Sequence, residues 1–203
     1  MARVAMIDYG MGNLHSAVKA LEALGASVRV TQSKEDIRQA THVVLPGVGA
    51  FPDAMQRLQE TGMDGIIKQA VAAGKPFLGI CLGMQLMLST SSEGGLHQGL
   101  GILPGAVTLL DAKGEKIPHM GWNEVTDRLN CPLLKGVSGR NFYFVHSFCV
   151  QNAAAAFAAG ITEYGQSFAS LVWDGRLAFG AQFHPEKSSQ AGRQLLQNFL
   201  SLA

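Results

Sequence analysis

The sequence predicts an α/β protein with a mostly parallel central sheet, helices on both faces, and added antiparallel strands. Three observations lead there. Up to Leu88, short apolar runs alternate with stretches that place apolar residues at helical spacing. One such strand-helix step, around Cys81, leaves no residues for a loop. After Leu88 the chain changes to β-branched and aromatic runs separated by turn residues, a pattern of antiparallel strands. The early alternation implies parallel strands with helical crossovers.

The elements follow in order. Arg3 to Tyr9 reads as a buried strand. Gly10-Met11-Gly12-Asn13 turns it into a helix with Leu14, Ala17, Val18, Leu21 and Leu24 at helical spacing, ended by Gly25. That turn is half of a dinucleotide fingerprint, but His15 stands where the third glycine belongs, so it reads as a tight strand-helix turn. Ser27 to Thr31 is a second strand, and Ser33 and Asp36 have capping spacing for a short helix. His42 to Leu45 is a third strand. It runs into the glycine-rich loop Pro46-Gly47-Val48-Gly49-Ala50-Phe51, after which Asp53 is the expected cap of a helix bearing Met55 and Leu58. A helix from Met63 to Ala73, a strand from Phe77 to Ile80 and a helix from Leu82 to Leu88 complete this half.

The second half opens on the polar loop Ser89 to Gly95, then a strand from Ala106 to Leu110. Ile117 to Asn123 reads as a loop before a short strand near Val125. Strands are expected at Asn141 to Val150, Phe157 to Gly160 and Ser170 to Trp173. Asp174-Gly175 favours a type I′ hairpin turn, returning through Leu177 to Phe183. A last helix, Ser189 to Leu202, places Leu195, Leu196, Phe199 and Leu202 inward. There is no linker or repeat, so residues 1–203 read as one domain.

Composition narrows the function. Apolar residues make up 47% of the 203, enough for one good core. A net charge of +1 and 15% charged residues argue against a nucleic-acid face, which needs clustered Lys and Arg. The sparse charge leaves room for an apolar partner surface. Cys81, Cys131 and Cys149 show neither a disulfide framework nor metal-ligand spacing, which points to a reducing, cytoplasmic setting and to no metal. Signal-peptide and membrane-span patterns are not expected.

The chemistry centres on Gly79-Ile80-Cys81-Leu82-Gly83. This is the glycine-flanked nucleophile turn between a strand and a helix, with Cys in the serine position. A helix N-terminus favours a thiolate there. The competing reading is a small buried Cys closing a strand. Among six histidines, His184 stands at a strand end, and Pro185 keeps it extended. In an extended segment, Glu186 falls on the same side and can orient the ring. Backbone N–H groups of Leu82 and of the Gly47–Gly49 loop are candidates for an oxyanion hole. Both suspicious loops follow strands, so they are expected to face one cleft.

With these residues in hand, the chain resembles the class I glutamine amidotransferases over essentially its full length. Pro46–Phe51, Gly79–Gly83 and His184–Glu186 carry the likeness. Asp8–Asn13, Pro118–Asn123, Tyr143–Ser147 and Lys187-Ser188 narrow it to the branch of glutaminase subunits that serve a cyclase in histidine biosynthesis. The resemblance implies a flavodoxin-like glutaminase fold, no cofactor, and hydrolysis of L-glutamine to glutamate and ammonia. It makes Cys81 the nucleophile, His184 the base and Glu186 its orienter, with Gly49 and Leu82 at the oxyanion positions. Gln85, Glu93, Ser147 and Phe148 match substrate-binding positions. The implied partner is a (β/α)₈-barrel cyclase that receives the ammonia, faced by Asn13, Met120, Trp122 and Lys187. The other reading left open is a glutaminase subunit of a different synthase.

Overall fold

The computed structural model describes residues 1–11 and 14–203; Asn13 therefore lies outside the described residues. Six α-helices are described: α1 (Leu14–Glu22), α2 (Lys34–Gln39), α3 (Phe51–Glu60), α4 (Met63–Ala72), α5 (Leu82–Leu86) and α6 (Ser189–Leu200). The described strands of the first half are β1 (Arg3–Ile7), β2 (Ser27–Thr31), β3 (His42–Leu45) and β4 (Phe77–Ile80). Those of the second half are β5 (Thr90–Ser91), β6 (His97–Gln98), β7 (Ala106–Leu109), β8 (His119–Asp127), β9 (Arg140–His146), β10 (Phe148–Cys149), β11 (Ala158–Tyr164), β12 (Gln166–Trp173) and β13 (Ala178–Ala181).

The main sheet runs β2-β1-β3-β4-β13-β12-β11-β8-β9. From β2 to β13 neighbouring strands are parallel; from β13 to β9 they are antiparallel. A small second sheet runs β10-β7-β5-β6. The predicted parallel sheet with added antiparallel strands is observed, except that the antiparallel part is as large as the parallel one, with four strand pairings each.

Strands β1, β3 and β4 feed both faces, because successive side chains point to opposite sides. Val4, Met6, Val44, Leu78 and Ile80 pack with Ala17 and Leu21 of α1 and with Leu195, Leu196 and Phe199 of α6. Ala5, Ile7, Val43, Leu45 and Phe77 pack on the other face with Ile37 of α2, Leu58 of α3 and Ile67 of α4. Strands buried on both faces read as unbroken apolar runs, which is why they were legible.

Local expectations fail in five places. His119 to Asn123 is not loop but the first half of β8, fully paired with β9 from His119↔His146 to Val125↔Arg140. Gly121 and Asn123 are poor strand formers, and cross-strand pairing overrides that weakness. The expected strand from Asn141 to Val150 breaks at Ser147, leaving β9 in the main sheet and β10 in the small one. The Asp174-Gly175 hairpin is not type I′, since only Gly175 has positive φ. Instead Asp174 Oδ1 accepts from the N–H groups of Arg176 and Ala178 at 2.8 and 3.0 Å, shaping a longer loop. Asp53 does not cap α3, whose N-cap is Ala50. Helix α6 ends at Leu200 rather than Leu202, although Leu202 still packs against the core. Ser33, by contrast, accepts from Asp36 N as a capping residue should.

Candidate active site

The carboxyl ends of β1, β3, β4 and β13 meet at one edge of the sheet, where the strand order reverses about β1. Open α/β sheets place ligands at such a crevice. Cys81 follows β4 directly, with φ 54° and ψ −112°, a conformation rarely adopted by a side-chain-bearing residue. Such strain at one residue is a mark of functional sites. The turn is sterically possible only with glycine on both sides. A Cβ on Gly83 would lie 1.9 Å from Leu45 O, and one on Gly79 would lie 2.6 Å from Gly83 O. Gly47 is equally tight, since its Cβ would come within 2.8 Å of Gly83 N and Leu82 Cβ. The two glycine-rich loops therefore touch, as the sequence leads one to expect.

They border a cavity of about 420 Å³ lined among others by Gly49, Cys81, Leu82, Gln85, Glu93, His146, Ser147, Phe148 and His184. Its size is that of a small-molecule site. Every residue assigned by resemblance to the oxyanion and substrate positions lies on it. The break between β9 and β10 puts Ser147 and Phe148 there.

His184 Nδ1 and Glu186 Oε1 are 2.8 Å apart, with both side chains buried. The carboxylate fixes Nδ1 as the donor, leaving Nε2 buried and without a well-formed hydrogen bond. Burial works against charge on His184, but the neighbouring Cys81 and Glu186 outweigh it and raise its pKa to about 9. A cationic imidazole beside a sulfur is the arrangement a thiolate nucleophile requires.

Leu82 is the first residue of α5, so its N–H has no partner within the helix. Gly49, on the same cavity, has φ +99°, a conformation that favours glycine. Glu93 Oε2 accepts from Phe51 N at 2.9 Å. Glu93 thus supplies the cap of α3 that Asp53 does not, while lining the cavity.

Two groups escaped the sequence reading. Tyr9, buried at the end of the first strand, donates through its hydroxyl to Pro46 O at 3.1 Å and so ties that turn to the glycine loop. Burial, and after it the charge of Cys81, pushes its phenol pKa up. Gln182 is fully buried, with Nε2 at 3.8 Å from Cys81 Sγ. The signal for it was present: Gln182 lies two residues before His184, so the same alternation that selected Glu186 also selects it.

Met120 and Trp122 are 62% and 55% exposed, which rules out the core-packing alternative for both. Trp122 meets the Tyr143 ring edge-on at 6.1 Å, and Lys187 Nζ lies 6.0 Å from the same ring. Trp122 and Lys187 thus share one aromatic neighbour, and Met120, two residues before Trp122 on β8, lies on the same side of that strand. Among the described residues, no group of three His, Cys, Asp or Glu is arranged to hold a metal, and no helix is long and apolar enough to cross a membrane.

Comparison with known proteins agrees with the geometry. The family model described as glutamine amidotransferase class-I matches residues 5–202, so the chain belongs to the class-I glutamine amidotransferases. Within that class it is 50% identical over 200 residues to the imidazole glycerol phosphate synthase subunit HisH of Moorella thermoacetica, covering 98% of this chain and 94% of that one. It is 48% identical to the subunit of the same name from Aromatoleum aromaticum, over the full length of both. The fold is shared with PurLQS of Thermotoga maritima, at TM-score 0.76 and 19% identity over 98% of each chain. A crystal structure of another glutamine amidotransferase gives a TM-score of 0.75 at 18% identity, over 97% of this chain and 96% of that one.

Proposed function

We propose that this chain, as a single domain, is the glutaminase subunit of imidazole glycerol phosphate synthase, acting in the cytoplasm with a (β/α)₈-barrel cyclase. The observation that carries the chemistry is Cys81 at a strained turn beside the buried His184–Glu186 pair. The particular synthase is supported by the full-length likeness to the HisH subunits.

In this reading L-glutamine occupies the cavity, with its ammonium toward Glu93 and its side-chain amide between Gln85 and Cys81. Ser147 and Phe148 hold the other wall. The Cys81 sulfur attacks the amide carbon, and charge developing on the oxygen meets the N–H groups of Leu82 and Gly49. His184 gives its proton to the leaving nitrogen, so ammonia departs and a thioester remains. Water, deprotonated by His184, then adds to the thioester carbon; glutamate leaves and the thiol is restored. Glu186 keeps His184 in one orientation throughout. The ammonia passes to the cyclase, which forms imidazole glycerol phosphate and AICAR from PRFAR. The surface at Met120, Trp122 and Lys187, with Asn13, is the proposed docking face.

The test is Cys81→Ala in the two-subunit complex. Glutamine-dependent synthesis is expected to vanish while ammonia-dependent synthesis persists. A mutant complex that still used glutamine normally would refute the reading.

A further inference from the structure

Behind Cys81 lies a line of buried amides whose polarity can be read from one end. The Phe148 carbonyl can only accept, and Gln85 Nε2 donates to it at 2.9 Å. The second hydrogen of that nitrogen goes to Gln182 Oε1 at 3.0 Å. Turning the Gln85 amide over would set its oxygen against the Phe148 oxygen. Turning the Gln182 amide over would set two NH₂ groups against each other. With both orientations fixed, Gln182 must present its NH₂ group, not its oxygen, to Cys81 Sγ at 3.8 Å.

The sulfur has a second neighbour of opposite character, the Val145 carbonyl at 3.9 Å. A thiol can give its proton to that carbonyl; a thiolate cannot, and gains only from a donor. We propose that Gln182 donates a hydrogen bond to the Cys81 sulfur and stabilises its thiolate form, with Gln85 and the Phe148 carbonyl fixing the direction of that donation. The inference rests on Cys81 being the nucleophile. It adds a residue to the catalytic machinery, and gives Gln85 a task separate from contact with glutamine. Register accounts for the placement: Ala181 pairs with Ile80 across the parallel β13–β4 ladder, so the next residues, Gln182 and Cys81, leave the sheet side by side. The charged and titratable groups around the sulfur are His184, with Glu186 behind it, after β13; Tyr9 after β1; His146 at the end of β9; and Glu93 across the cavity.

The test is the pH dependence of Cys81 alkylation by iodoacetamide in the full chain, read by peptide mass spectrometry, for wild type, Gln182→Met and Gln182→Glu. Cys131 and Cys149 give little background, because burial pushes both thiols up to about 12. The midpoint for Cys81 is expected to rise by about one pH unit in Gln182→Met, the size of one lost hydrogen bond to a charged group. Gln182→Glu keeps the acceptor for Gln85 but replaces the donor with a carboxylate, so its midpoint is also expected to rise. It serves as the second variant if the methionine protein does not fold. In the assembled synthase, kcat for glutamine falls while KM changes little. Folded variants with the wild-type midpoint would overturn the proposal and leave the nucleophile intact. Wild-type Cys81 reacting no faster than an ordinary cysteine would overturn both.

Discussion

Met120 and Val145 face each other across the β8–β9 ladder, and they belong to different worlds. Met120 is largely exposed, whereas the Val145 carbonyl lies 3.9 Å from Cys81 Sγ. One residue pair therefore separates the proposed docking face from Cys81. The proposed docking face is thus joined to the cavity wall by paired strands rather than by a loop.

Trp122→Ala should weaken association with the barrel subunit by about tenfold to a hundredfold, as the loss of an aromatic anchor does. The fold should survive, because the ring is more than half exposed. Calorimetric titration checks this; unchanged affinity together with an unchanged melting temperature would place the interface elsewhere.

Tyr9→Phe removes the hydroxyl that donates to Pro46 O. About 1 kcal/mol of stability should go with that buried hydrogen bond. Glutamine turnover in the complex should fall by up to about tenfold, less than the 10²–10³ of a deleted oxyanion donor, because the glycine loop is loosened rather than cut. Turnover equal to wild type would mean that Tyr9 does not hold the loop in working position.

Glu186→Gln keeps the shape of the pair but removes the charge that, after Cys81, raises His184. The His184 pKa should drop toward its ordinary value of 6.5. Steady-state rates for glutamine should fall by roughly 10²–10⁴ in kcat, with KM little altered. A loss of only a few-fold would assign Glu186 a structural part.

Gly83→Ala and Gly65→Ala should move stability in opposite directions. A Cβ at Gly83 meets Leu45 O at 1.9 Å, backbone that cannot yield, and should cost about 3 kcal/mol or more. Gly65 sits inside α4 with nothing within 4 Å of its would-be Cβ. Alanine there should stabilise by about 0.5–1 kcal/mol through helix propensity. Urea denaturation of both variants decides it.

Stability should peak near pH 6.5. Burial holds His119 and His146 neutral, with pKa values pushed down to about 4 and about 3. The unfolded chain takes up those protons near 6.5, so the stability they contribute is present above that pH and lost as pH falls, by roughly 1.4 kcal/mol per unit for each. His184 works the other way: its pKa is raised to about 9, so its contribution is full below 6.5 and lost as pH rises through 9. Urea midpoints at about pH 5, 6.5 and 9.5 test the curve; a protein as stable at the extremes as in the middle contradicts it.

The parallel half was legible because strands buried on both faces must be apolar without interruption, and Val43–Leu45 or Phe77–Ile80 satisfy nothing else. Gly79, Cys81 and Gly83 were legible because only one turn leaves room for them. His119–Asn123 was not, because its strand character comes from pairing with residues 142–146 rather than from its own composition. The Glu93 cap on α3 spans 42 residues and has no local signature. Gln182 lay within reach of the alternation argument, but its meaning depends on an amide, Gln85, and a carbonyl, Phe148, that only the fold brings near.

The position of β13 in the sheet also bears on timing. It lies between β4 and β12, so the last strand to be synthesised is inserted into the interior of the sheet rather than added at an edge. Until residues 178–186 have left the ribosome, β4 has an open flank and Cys81 lacks the proposed base and amide donor, His184 and Gln182. A nascent or truncated chain therefore carries the cysteine without the means to cleave glutamine. In the proposed mechanism, hydrolytic competence arrives in the same event that closes the sheet.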